Sequence, residues 1–143
     1  MRKVKSILCS LFTLTSLSAS LCASAGDLTI INHTNYDSTS IINNGACSNV
    51  MGAPGITRAH TTNVVPEKLV IKACIFNKAN CTAAVHMTNN CTGPVVATVI
   101  FDVAKGIKDI QPSSASMGYV MSGSEFTAII EGGPAWKEWL KYF

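Results

Sequence analysis

The sequence predicts an all-β fold: an antiparallel two-sheet sandwich of immunoglobulin-like or jelly-roll-like type, with two disulfides and a short C-terminal amphipathic helix. Three observations predict it. Short runs alternate apolar and polar residues with the period of a strand, clusters of Asn, Gly, Pro and Ser separate them, and four cysteines follow a head that reads as an export signal.

The first 25 residues have the order of a secretory signal. Arg2, Lys3 and Lys5 precede a modestly apolar run from Ile7 to Leu21, and Ala23-Ser24-Ala25 stands before Gly26. That run is about 15 residues, diluted by Ser and Thr, whereas a bilayer span needs about 20. Residues 1–25 are therefore expected to be a cleaved signal peptide, residues 26–133 one β-sandwich domain, and residues 134–143 a C-terminal helical segment. Export through the secretory pathway, to the periplasm or the exterior, is the expected route. Three of the 11 Lys and Arg leave with the signal, so the rest balance the 8 Asp and Glu. No basic cluster survives, which argues against nucleic acid as a partner.

Along the mature chain, Leu28 to Thr34, Thr39 to Ile42, Leu69 to Ile75, Thr82 to Thr88, Val95 to Val103 and Phe126 to Glu131 are expected strands. Thr61 to Val65, Ile107 to Ile110 and Gly118 to Met121 are weaker ones. In "VVATVIFDV", Val95, Ala97, Val99, Phe101 and Val103 share a face, and the other face is also partly apolar. Such a strand belongs inside a sheet rather than at its edge. Phe126, Ala128 and Ile130 form a second inward face.

Cys9 and Cys22 go with the signal, leaving Cys47, Cys74, Cys81 and Cys91. Their spacings of 27, 7 and 10 residues lack the close pairs of a zinc site, so two disulfides are expected. Cys81 and Cys91 bracket about ten extended residues, roughly 30 Å at about 3.3 Å each. A disulfide needs Cα atoms within about 7 Å. Cys74 and Cys81 flank the short connection "IFNKAN", which leaves Cys47 to pair with Cys91. On the expected strands Cys74 and Cys81 have opposite parity, so their pairing requires a bulge beside one of them.

In the closing "PAWKEWLKYF", Trp136, Trp139, Leu140 and Phe143 recur at helical spacing, with Lys137, Glu138 and Lys141 on the other side. This segment is expected to be either a lid on the sandwich or a contact surface for a membrane or partner. The three histidines of the chain sit in similar stretches, "HTN", "HTTN" and "HMTN". Converging, His33, His60 and His86 would make a zinc or copper site. Strand parity instead sends His86 to solvent, opposite Val85 and Met87, so no metal is assigned and these three stand only as candidates. Asn32-His33-Thr34, Asn80-Cys81-Thr82 and Asn90-Cys91-Thr92 match a glycosylation pattern but are read as turn residues.

No nucleophile elbow or paired catalytic motif is present; Asp102 near His86 is the nearest approach to one. The balance is against an enzyme, and no catalytic residue or cofactor is assigned. The runs "LTIINHTNYDSTSIINNGACSN" and "NCTAAVHMTNNCTGPVVATVIFDVAKGI" resemble small exported β-rich proteins of gammaproteobacteria with an intracellular lifestyle. The resemblance implies export and a role at the host interface; it carries over no site residue. The expected function is thus a disulfide-stabilised binding or interaction module at a host or envelope interface, with a protein or glycan partner. A pilin-like assembly subunit, echoed by Tyr142-Phe143, and a membrane-active protein using residues 134–143 are the alternatives.

Overall fold

The computed structural model describes residues 26–134. The expected signal peptide, and the C-terminal segment from residue 135 onward with Trp136, Trp139, Leu140 and Phe143, lie outside the described residues. The elements in order are β1 (Leu28–Asn32), β2 (Thr39–Ile42), β3 (Thr62–Val65), α1 (Glu67–Ala73), β4 (Cys81–His86), β5 (Val95–Asp102), β6 (Gly106–Pro112), β7 (Tyr119–Ser124) and β8 (Thr127–Gly132). Two short 3-10 turns, Ser48–Met51 and Ala53–Gly55, lie between β2 and β3.

The strands form two four-stranded sheets, β3-β1-β8-β7 and β2-β4-β5-β6. They face each other as a sandwich. β5 is interior, as its doubly apolar pattern requires, and Ala97, Val99 and Phe101 are buried on it. Pairing departs from the purely antiparallel expectation at one place: β1 runs parallel to β8, with Thr29 opposite Thr127 and Ile31 opposite Ile129. The first strand thereby lies beside the last, and the described domain closes on itself.

Apolar residues from both sheets meet in two clusters. One joins Val85, Val96 and Val99 to Tyr119 and Ile130; the other joins Val65, Val70, Cys74, Cys81 and Phe101, with Phe126 edge-on to Phe101 at 5.8 Å between centroids. Backbone bridges tie the sheets along both flanks. On one, Ile107 N–H donates to the Glu125 carbonyl at 2.6 Å. Gly106 makes that approach possible, because a Cβ there would overlap the Glu125 carbonyl oxygen. On the other flank, Ser38 and Thr57 exchange backbone hydrogen bonds of 2.8 and 2.9 Å.

The main correction concerns the strand expected from Leu69 to Ile75, which is the helix α1. The same apolar residues satisfy either period over so short a run, and the surroundings decide. Pro66, with its fixed φ, precedes the helix, Glu67 opens its first turn, and the Asp27 carboxylate accepts the Glu67 N–H at 2.9 Å, standing in for a cap. Val70 and Cys74, four residues apart, are buried; Lys72 lies in the last turn, favourable to the helix dipole. A seven-residue helix is marginal alone, so this packing and its disulfide hold it.

Candidate functional site

Cys74 ends α1 and is bonded to Cys81, the first residue of β4, across seven positions; Cys47 is bonded to Cys91 across 44. With Cys74 at a helix end rather than in a strand, the parity conflict between it and Cys81 disappears, and no bulge is involved. The six residues between them form a short loop locked at its base by sulfur.

That loop is the most unusual surface among the described residues. Phe76 is 95% exposed and Ile75 50% exposed, side by side. Val50, Val64 and Val120 are also exposed, but singly and in other elements, which is ordinary for a protein surface. The loop around the aromatic ring is held at several points. Asn77 N–H donates to the Cys74 carbonyl at 3.0 Å, and Asn80 N–H donates to the Asn77 side chain at 3.2 Å. Val103, in the turn between β5 and β6, donates its N–H to the Lys78 carbonyl at 2.9 Å, while Lys108 Nζ on β6 donates to Asn80 Oδ1 at 2.7 Å. Asp102 braces that turn in its own right, accepting the Ala104 and Lys105 N–H groups at 2.8 and 3.2 Å. The result is an apolar pair on a fixed base.

Sequence reasoning missed this site. A strand through Ile75 would put that residue on an inward face, and "IFNKAN" reads from the sequence as a plain connection. The available signal was a phenylalanine among Asn and Lys between two closely spaced cysteines.

The sequence candidates fall elsewhere. Among the described residues no group of three or more His, Cys, Asp and Glu is placed to hold a metal. His33 is exposed; His60 is exposed in a turn with φ +58, its Nε2 2.6 Å from Asn35 Oδ1. His86 departs from the expectation of a solvent-facing ring: it is 5% exposed. The pairing of β4 with β5 shifts register between Val85 and His86, so strict alternation ends and Val85, His86 and Met87 are all buried. Its Nδ1 lies 3.0 Å from the Gly93 carbonyl, which only accepts, so Nδ1 carries the proton. Asp102 pairs near Cys81 at the far end of the same ladder, so it does not meet His86.

Asn32 is 1% exposed, so the asparagine of the first glycosylation-like triplet is internal. Its Nδ2 donates to the Tyr36 carbonyl at 2.8 Å, and its Oδ1 accepts the Thr34 N–H at 2.9 Å and hydroxyl at 2.8 Å. Tyr119 is also buried, and burial, followed by the neighbouring Tyr36, pushes its phenol well above the ordinary 10.0. No helix among the described residues is long and apolar enough to cross a membrane.

A family model described as the T2SS substrate NttC, a type II secretion system substrate, matches residues 3–132. The crystal structure of the Legionella pneumophila type II secretion system substrate NttC matches with a TM-score of 0.61 and 26% identity, over 76% of this chain and 98% of that one. No curated protein matches. The protein is exported through the secretory pathway to the periplasm or the extracellular space, where oxidised cysteines persist. With the match running over most of its length, the chain belongs to the NttC family of secreted substrates.

Proposed function

We propose that this protein is an exported binding module, released by the type II system, that docks on a protein partner through the Ile75-Phe76 knob. The observation that carries the reading is the 95% exposure of Phe76 on a loop closed by the Cys74–Cys81 disulfide. Large apolar side chains exposed side by side mark contact surfaces, whereas single ones are ordinary, and aromatic anchors dominate the energy of protein interfaces. A ring presented on a rigid loop loses little conformational freedom on binding, so more of its burial appears as affinity. Ile75 beside it widens the knob to a pair that fits an apolar socket. Asn77, Lys78 and Asn80, all exposed, supply the polar rim that such contacts use.

The test is a photo-crosslinking amino acid, benzoylphenylalanine, placed at position 76 and separately at Val50, itself 74% exposed. Each protein is incubated with host-cell surfaces and with bacterial envelope fractions. The reading expects a discrete, saturable adduct at position 76 that unlabelled wild type competes away and Phe76→Ser does not. Equal, diffuse labelling at both positions would overturn it.

A further inference from the structure

The two sheets leave a cavity of about 110 Å³ between them. Its walls come from both sheets, from α1, and from the segment of 3-10 turns between β2 and β3. Small side chains make the space: Ala73 on α1, Ala83 on β4 and Ala128 on β8 line it where larger residues would fill it. Val85, Val99 and Phe101 supply much of the remaining wall.

Most of the hydroxyl groups on the lining, those of Thr39, Ser48 and Thr57, are engaged with the protein itself. Thr39 Oγ1 donates to the Thr88 carbonyl at 2.8 Å and accepts the Cys91 N–H at 2.9 Å. Ser48 Oγ donates to the Gly55 carbonyl at 2.6 Å and accepts the Ser40 N–H at 2.9 Å, and Thr57 Oγ1 accepts from Asn63 at 3.3 Å. A buried water needs two to four polar partners, so this space favours hydrocarbon over water. Half-buried Met51 and Pro54 line the cavity from the 3-10 segment between the two edge strands β2 and β3, beside the Ser38–Thr57 bridge. Methionine is unbranched and adaptable, so a chain can enter there by moving one side chain.

We infer that this cavity is a binding site for the end of a single unbranched hydrocarbon chain, alkyl or acyl, whose polar head stays outside. An apolar cavity of about 150 Å³ holds a six-carbon ring, so a space of about 110 Å³ takes about four carbons. The site goes beyond the docking knob and does not depend on it.

The experiment is a calorimetric titration of the oxidised protein with straight-chain alcohols from propanol to decanol. Octanoate and dioctanoyl phosphatidylglycerol follow as separate arms, distinguishing a free fatty acid from a phospholipid as the source. One site is expected, with affinity rising about fourfold per added methylene and levelling once about four carbons are inside. Ala83→Leu should weaken binding at least tenfold. If that variant does not fold, Ala73→Leu on the half-exposed helix face fills the same space and decides, while Phe76→Ser should bind as wild type does. Absence of saturable binding to wild type, affinity that climbs with every carbon without levelling, or full binding by the filled variants would each overturn the inference.

Discussion

Asn32 shows how one polar side chain can be structural in a strand end. Its amide organises the turn that follows β1, and Asn32→Ala would strand the buried Thr34 N–H, while the Thr34 hydroxyl and the Tyr36 carbonyl lose one bond each and keep the one between them. The expected cost is about 3 kcal/mol, on the scale of stranding buried polar groups, read as a lowered urea midpoint with an unchanged slope. Tyr119 sets an alkaline limit. Its folded phenol ionises well above 10.0, whereas the unfolded phenol ionises near that value. The unfolded state therefore loses the proton first, and stability that is complete below about pH 10 declines as the pH rises further. Urea midpoints at pH 9 and pH 11 should show that decline in wild type and a smaller one in Tyr119→Phe. At this scale the alternation of β5 was readable, because Ala97, Val99 and Phe101 obey it. The burial of His86 was not, because a register shift leaves no mark in an apolar-polar pattern.

Helix or strand, for the residues around Leu69, is a choice made by neighbours. Leu69, Ile71, Ala73 and Ile75 alternate as a strand would, while Leu69, Val70, Ala73 and Cys74 fit a helix turn. Asp27, just before β1, and the bond to Cys81 settle it, and both are contacts between parts of the chain that sequence periodicity does not report. That ambiguity also concealed the candidate site, since the knob exists because α1 ends at Ala73 and turns Ile75 and Phe76 outward. The disulfide across seven positions closes a small loop, so Cys74→Ala with Cys81→Ala should cost about 2.5 kcal/mol from chain entropy. Thermal or urea unfolding of the oxidised wild type and the double variant checks the figure.

For the whole molecule, the longer crosslink matters more. Cys47–Cys91 spans 44 positions and fastens the loop after β4 to the segment after β2, both on the second sheet's flank. Removing it with paired alanines should cost about 4 kcal/mol in the chain-entropy model, a large share of the stability of a domain this size. The two substitutions at each bridge are far enough apart in role that the smaller loss from the Cys74–Cys81 pair provides an internal comparison in the same unfolding experiment. The sandwich class was legible because turn residues and period-two runs recur along the chain. The parallel β1–β8 pairing was not, since strand partners distant in sequence leave no local signal.

Contact through Phe76 depends on the loop being held rather than fluctuating, and ¹⁵N relaxation across residues 75–80 measures that directly. Backbone order parameters near about 0.85, level with β4 and β5, are predicted for the oxidised protein, with a fall in the Cys74→Ala, Cys81→Ala variant. Values below about 0.6 in the oxidised wild type would contradict the account, because the knob would then have no fixed base.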